Sequence, residues 1–239
     1  VKKDIINYKN GKPIEKGYFY FKNGKLKKQF EYLPDDSNAK LAPNPNSMQF
    51  PNEPMGKVIY LADSLEKVFV KDGNGRAVEL SKEKDDEFIE EGDYKDGVKS
   101  GIWVGKYHSG KSSYEETYQV GKLLSGKSVK DGITYSYNVL GTPPVYKRGV
   151  GDFYQYLGRS IRYPLEEAKR NVSGTVALAF VVEKDGAISD IKVLRSVSPS
   201  IDEEAIRVVR YSPKWQPATY RGLPVRVKYN LPVTFSLGR

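Results

Sequence analysis

The most constraining feature of the 239-residue sequence is a strict alternation near its C-terminus, in PVRVKYNLPVTFSL (224–237). Apolar side chains occupy every second position, with polar or charged ones between them. Such a strand has one face on a hydrophobic core and the other in water. We therefore predict one long antiparallel strand, and Pro232 favours a sheet edge because proline cannot donate a ladder hydrogen bond. The apolar positions are Val225, Val227, Tyr229, Leu231, Val233, Phe235 and Leu237.

The residues before this strand predict two helices and a hairpin. Pro164 fits the first turn of a short helix at 165–170, because its fixed φ suits that position. The alternation at 176–182 leads into an Asp-Gly turn at 185–186, which is typical of a hairpin. A second helix at 200–210 carries an apolar stripe. The order predicts an α+β domain with an antiparallel three-stranded sheet and two helices.

Short motifs in residues 152–239 resemble the C-terminal domain of the TonB family, and many of them fall in the family's order. The motifs are Tyr163-Pro164 with Ala168, Gly174-x-Val176, Phe180-x-Val182, Asp185-Gly186, Val193-x-x-Ser196, Asp202 with Ala205, Trp215-x-Pro217, Gly222-x-Pro224-Val225 and the Pro-Val-x-Phe of 232–235.

The TonB resemblance implies a periplasmic, energy-transducing adaptor with no catalysis. Such an adaptor is anchored in the inner membrane by a helix that meets ExbB and ExbD. Its C-terminal domain grips the TonB box, a short extended segment of outer-membrane receptors, by strand addition. The binding site that we predict consists of Tyr163, Pro164, Val225, Arg226, Val227, Lys228, Tyr229 and Asn230. The chain begins with Val1 and not Met, so we expect that a leader or anchor was trimmed.

The first half of the chain contains an internal repeat. YKNGKPIEKGYFYFKNGK (8–25) and YKDGVKSGIWVGKYHSGK (94–111) share one plan, and YQVGKLLSGK (118–127) begins a further copy. Asn-Gly and Asp-Gly turns flanked by aromatic residues predict β-hairpins. The plan resembles the bacterial variant of MORN-type repeats, best over residues 92–136.

The domain organisation follows from these two patterns. We predict a mostly β repeat domain of hairpins at 1–146 and the TonB-like domain at 147–239. The Gly- and Pro-rich stretch at 138–152 joins them. A Pro- and Asn-rich segment at 37–56 is predicted to be a loop.

One stretch of the repeat, GKYHSGKS (105–112), matches the phosphate-binding loop pattern of nucleotide hydrolases. A true phosphate loop leads into a helix, whose N-terminus faces the phosphates. Here the pattern recurs at once in GKLLSGKS (121–128), followed by residues typical of a turn and a strand. We therefore predict a hairpin turn and no nucleotide.

Composition excludes several classes of function. The net charge is +9, but Lys and Arg are interleaved with Asp and Glu, which favours an ordinary solvated surface over a nucleic-acid site. The absence of cysteine excludes disulfides, thiolate zinc sites and cysteine nucleophiles. The single histidine, His108, has no carboxylate nearby in sequence. We predict no enzyme activity, no cofactor and no metal.

Two functions remain open. The first is the periplasmic adaptor with a TonB-dependent receptor as its partner. The alternative is a scaffold or binding module that does not transduce energy, whose aromatic repeats hold a glycan, the cell wall or a lipid surface. An inner-membrane helix upstream of Val1 favours the first, and a cleavable signal favours the second.

Overall fold

The computed structural model describes residues 3–9, 12–33, 56–83 and 86–237. They form two compact units that divide between Leu140 and Gly141. The sequence placed this boundary between 146 and 147. Tyr146 instead lies buried in the core of the C-terminal unit, so the division falls six residues earlier. The loop predicted at 37–56 lies, apart from Gly56, outside the described residues.

The described part of the N-terminal unit is built from antiparallel strands in two sheets, which confirms its mostly β character. Each strand pairs with its neighbour in the chain, so both sheets are meanders. The first sheet contains β1 (Ile5–Lys9), β2 (Lys12–Tyr20), β3 (Leu26–Tyr32), β4 (Gly56–Ala62) and β5 (Val68–Val70). The second contains β6 (Gly75–Glu83), β7 (Asp86–Lys95), β8 (Val98–Tyr107), β9 (Ser112–Gln119), β10 (Lys122–Lys130) and β11 (Ile133–Tyr137).

Two-residue turns connect several of these strands, as the repeat predicted. Asp131 and Gly132, between β10 and β11, have φ of 52° and 76°. Positive φ at both central residues defines the type I′ turn, whose twist matches that of the flanking strands. The hairpin predictions are therefore confirmed at this turn.

The recurring glycines and aromatic residues have a packing explanation. Trp103 on β8 is completely buried, and a Cβ on Gly92 of β7 would lie only 2.3 Å from its ring. Similarly, a Cβ on Gly105 would lie 2.1 Å from the ring of Tyr114, its partner on β9. Glycine in one strand thus makes room for an aromatic ring on the next, which accounts for the repeat of both residue types.

The C-terminal unit combines helices with two small antiparallel sheets. The larger sheet has the order β14-β13-β17, from β13 (Gly174–Val182), β14 (Ile188–Arg195) and β17 (Val227–Phe235). The smaller has the order β12-β15-β16, from β12 (Gly141–Thr142), β15 (Ala218–Tyr220) and β16 (Leu223–Val225). The helices are α1 (Val150–Ser160), α2 (Leu165–Lys169) and α3 (Pro199–Arg210).

The prediction of two helices was wrong, because α1 is a third helix within the described residues. Its buried residues Phe153 and Leu157 are four positions apart and therefore lie on one helix face. Phe153 packs edge-on against Tyr146 and Trp215, with ring centroids 5.0 and 4.9 Å away. These partners lie outside the helix in sequence, so the local pattern alone was too weak to reveal α1.

The predicted long strand at 224–237 is also corrected. Its first part, β16, pairs with β15 in the small sheet, and the chain leaves that sheet at Arg226 before β17 begins. The rest of the predicted order is confirmed. The α3 stripe is buried as expected, at Ile201, Ala205, Val208 and Val209.

Candidate functional site

The open side of β17 is the candidate site. β17 pairs with β13 over nine consecutive residues, from Val227 opposite Val182 to Phe235 opposite Gly174, without a register shift. Among the described residues, no strand pairs with its other side. The alternation predicted for this strand is confirmed: Tyr229, Leu231, Val233 and Phe235 are buried, whereas Lys228, Asn230, Pro232 and Thr234 are exposed.

Pro232 indicates which backbone groups point to the open side. In an antiparallel ladder, opposing residues alternate between pairs that exchange both hydrogen bonds and pairs that exchange none. Pro232 lies opposite Ala177 and has no N–H, so this pair is one that exchanges no hydrogen bonds. By the two-residue period, the N–H groups of Lys228, Asn230 and Thr234 then point away from β13. This row of unpaired groups can accept an additional strand.

The opposite edge of the same sheet is less regular. The pairing of β14 with β13 contains two register shifts. Asp190 on β14 has φ of 49°, in the left-handed region that strands rarely contain. Irregularities of this kind protect an edge from pairing. Of the two edges, β17 is therefore the better template for strand addition.

Arg226, the residue before β17, is bonded to Glu183, which directly follows β13, and to Asp190 on β14. Its Nε donates to both carboxylate oxygens of Glu183, at 2.9 and 3.0 Å, and its Nη2 donates to Asp190 Oδ2 at 2.6 Å. We call these three residues the Arg226 clamp. Glu183 and Asp190 could not be predicted as partners of Arg226, because residues 43 and 36 positions away carry no local signal.

The clamp changes the electrostatics of its members. A hydrogen bond from Ser189, followed by that from Arg226, lowers the pKa of Glu183. The same carboxylate, with Asp190, raises the pKa of Arg226. Glu183 and Arg226 therefore stay ionised over a wider pH range than usual. Arg226 acts within its own sheet instead of standing free at the edge.

The predicted site residues do not all come together. Val225 lies in β16, opposite Ala218, and so belongs to the other sheet. The ring of Tyr163 packs 5.8 Å from that of Phe235, and its hydroxyl donates to the carbonyl of Val172. Tyr163, with Pro164 just before α2, therefore lies at the end of β17 that is opposite to Val227.

GKYHSGKS forms a hairpin turn between β8 and β9, as predicted. Its Lys111 makes an ion pair with Asp86 at 3.0 Å and lies 3.7 Å from the centroid of the Tyr107 ring. A hydrogen bond from Ser109, and then the interaction with Lys111, lowers the pKa of Asp86 to about 2. The lysine is thus engaged within the hairpin, and no helix follows the turn.

Within the described residues, no group of three or more His, Asp or Glu side chains could hold a metal ion. No helix in that part of the chain is long and apolar enough to cross a membrane.

The C-terminal unit is thus a small α+β domain with an open, regular sheet edge, which is typical of a strand-binding module. Residues 159–237 match the family described as Gram-negative bacterial TonB protein C-terminal. This match to the TonB C-terminal domain confirms the resemblance seen in the motifs of the region.

A similar solved structure is the NMR solution structure of the TonB C-terminal domain of Helicobacter pylori. It shares 20% identity, over 40% of this chain and 86% of that chain, with a TM-score of 0.31. No curated protein matches the chain. The family match does not extend to the aromatic repeats, so the MORN-type resemblance stays a prediction.

The family match also bears on function. TonB C-terminal domains are non-enzymatic transducer or binding domains of periplasmic proteins, and they interact with outer-membrane receptors in general. The match therefore supports a TonB-like periplasmic role for this chain.

Proposed function

We propose that the C-terminal unit binds the TonB box of an outer-membrane receptor by strand addition along the open side of β17. The protein then acts as a periplasmic adaptor that couples inner-membrane energy to nutrient uptake. The observation that carries this proposal is the unbroken ladder between β13 and β17, which leaves one regular row of backbone groups without a strand partner among the described residues. Coupling through ExbB and ExbD rests on the family resemblance.

The chemistry of the edge suits a pulling adaptor. An added strand would bond to the N–H groups of Lys228, Asn230 and Thr234 and to the carbonyl groups of the same row. A force along the strand loads these hydrogen bonds together, so they resist it jointly. Because backbone groups supply the contact, the edge needs little side-chain specificity.

We propose a site of different extent from the one predicted from the sequence. It excludes Val225, which pairs in the other sheet, and Arg226 supports it from the clamp. The remaining edge runs from Val227 to Thr234, and the Tyr163 ring lies beyond its far end, against Phe235. Tyr163 and Pro164 are proposed to contact the end of a bound segment.

The test is an NMR titration of the full chain with a synthetic peptide that spans a TonB box. We expect amide shifts along β17, and much weaker binding by Lys228→Pro, because proline removes one outward N–H. Lys228→Ala is the matched control, since it keeps that group. Shifts confined to the helices, or a folded Lys228→Pro variant that binds like the unsubstituted protein, would contradict the proposal.

The alternative, a scaffold whose repeats bind a ligand, also has an observation in its favour. A groove of about 500 Å³ in the N-terminal unit is lined by two ion pairs and the ring of Phe30. Lys28 and Glu79 are 3.3 Å apart, and Lys99 and Glu90 are 2.6 Å apart. Because the charges balance in pairs, the groove favours a neutral polar ligand such as a glycan. Saturable shifts at these residues on titration with N-acetylglucosamine trimer would support this function, and unchanged spectra would contradict it for this sugar.

A further inference from the structure

The outermost strand of the six-stranded sheet, β11, lacks the protection found on other edge strands of the molecule. Its sequence, ITYSY, contains no charged residue and no proline. Its five pairs with β10 continue without a register shift. By contrast, β1 carries Lys9 and a register shift. Edges without charge, proline or bulge are the ones that recruit another strand.

The turn before β11 shows which of its groups face outward. Asp131 and Gly132 form a two-residue turn, in which the N–H of Ile133 bonds back to the carbonyl of Lys130. By the two-residue period, Tyr135 and Tyr137 also face β10. Thr134 and Ser136 direct their N–H and C=O groups to the open side, and their side chains are exposed.

The strand is also held in place for pairing. The hydroxyl of Tyr137 donates to Oε1 of Glu116, 2.8 Å away, and Glu116 is completely buried. The hydroxyl of Tyr118 donates to the other carboxylate oxygen at 3.0 Å. Because Tyr137 is hydrogen-bonded to a buried carboxylate, β11 is already ordered and loses little conformational freedom when it binds another strand.

From these features we propose that β11 pairs antiparallel with β11 of a second copy of this chain, about a two-fold axis at Tyr135. In that register Ile133 lies opposite Tyr137 of the second copy, Thr134 lies opposite Ser136, and Tyr135 lies opposite itself. An isologous interface requires such self-complementarity. The hydroxyl side chains of Thr134 and Ser136 meet across the axis, which is a favourable cross-strand pair.

The backbone supports the same register. Thr134 and Ser136 both face outward, so each Thr134–Ser136 pair across the axis exchanges two hydrogen bonds, and the two pairs together make four. Tyr135 faces β10 and fits the non-bonded pair on the axis. The contact is smaller than a standard stable interface, so self-association is weak and depends on concentration. Salt strengthens it, because the two copies each carry a net charge of +9.

Single-cysteine crosslinking tests the register directly, because the chain contains no cysteine. Residues in a non-bonded antiparallel pair have Cβ atoms about 4.5 to 5.5 Å apart, close enough for a disulfide after small adjustments. We expect Tyr135→Cys to form a disulfide dimer under mild oxidation. Ser113→Cys, exposed on the interior strand β9, is the control and should stay monomeric. Equal crosslinking by both variants would overturn the proposal.

A second experiment does not depend on replacing Tyr135. Mixing Thr134→Cys and Ser136→Cys chains should give the mixed disulfide ahead of either homodimer, because both side chains are exposed and face each other across the axis.

Analytical ultracentrifugation of the full chain should show self-association that Thr134→Pro weakens roughly tenfold or more and Thr134→Ala does not. A sample that stays monomeric at millimolar concentration, or a dimer that a folded Thr134→Pro variant preserves, would overturn it. The result does not bear on the site at β17.

Discussion

β17 and β11 are both the outermost strands of antiparallel sheets in the described residues, but they differ in how their open sides are protected. β17 carries Lys228 and, in Pro232, a position without an N–H. β11 carries neither a charge nor a proline. A charged, proline-containing edge discourages self-pairing while it leaves part of the row available to a chosen partner. An unprotected and self-complementary edge favours its own copy.

The two edges also differ in what fixes them. The Arg226 clamp holds the start of β17 through charged side chains at the surface. β11 is held from within the sheet by a hydroxyl on the buried carboxylate of Glu116. The edges at β17 and β11, although both are unpaired outer strands of antiparallel sheets in the described residues, are thus suited to different partners.

The largest expected effect is on stability, and it distinguishes the N–H groups of β17 that face β13 from those that face the open side. Tyr229→Pro should destabilise the C-terminal unit by about 2–3 kcal/mol more than Tyr229→Ala, because it leaves the buried carbonyl of Phe180 without its donor. Lys228→Pro should destabilise the unit much less, because its N–H faces the open side. Thermal unfolding followed by circular dichroism measures both stabilities. Equal losses of stability for the two proline variants would mean that the N–H directions assigned to β17 are wrong.

A second prediction uses hydrogen exchange to compare the edges without substitutions. Along β17, the amides of Lys228 and Asn230 should exchange at least about tenfold faster than those of Tyr229 and Leu231. Along β11, Thr134 should become protected as the protein concentration rises, whereas the β17 amides should not change. Uniform amide exchange rates along β17 would mean that its N–H groups do not alternate in direction. The same concentration dependence of exchange at both strands would mean that β11 does not differ from β17 in self-pairing.

The buried alternation of β17 could be predicted from the sequence because burial on one face leaves a two-residue period. Its interruption could not be predicted, because Val225 and Val227 continue the period across Arg226. What separates them is the pairing partner: Val225 lies opposite Ala218, and Val227 lies opposite Val182. Such partners are fixed by long-range contacts and not by the local pattern.

The same reason explains the other differences. The Gly and aromatic repeat predicted the hairpins at residues 94–137 correctly, since each turn and ring is a local feature, whereas its Asn-Gly turn at residues 10–11 lies outside the described residues. Helix α1 depends on Tyr146 and Trp215 for its apolar contacts, so its own sequence was a weak signal. Tyr163 was predicted from the resemblance to lie close to residues 225–230, but its ring packs on Phe235, at the other end of β17.

A third prediction concerns pH and the Arg226 clamp. Because the folded pKa of Glu183 is lowered, its contribution to stability is present above its usual pKa and is lost as the pH falls through the folded value. Arg226→Gln should raise the pKa of Glu183 toward the usual range and lower the melting temperature at neutral pH. The two proteins should converge in acid.

Carbon-detected NMR of the Glu183 carboxyl, with melting curves at several pH values, measures both effects. Lys228→Gln removes the same charge two residues away and should leave the pKa of Glu183 nearly unchanged. A difference in melting temperature that persists in full at acidic pH would mean that Arg226 acts by packing and not through its carboxylate partners.

The smallest expected effect is on the side chains of the β17 edge. If backbone groups supply the contact with a bound segment, Lys228→Ala should weaken peptide binding by only about 0–1 kcal/mol, as exposed charge contacts usually do. Asn230→Ala should fall in the same range, and added salt should remove most of the lysine effect. Fluorescence anisotropy with a labelled TonB-box peptide measures these differences. A loss of more than about 2 kcal/mol for either alanine would show that side chains select the partner, and β17 would then differ from β11 by recognition and not only by protection.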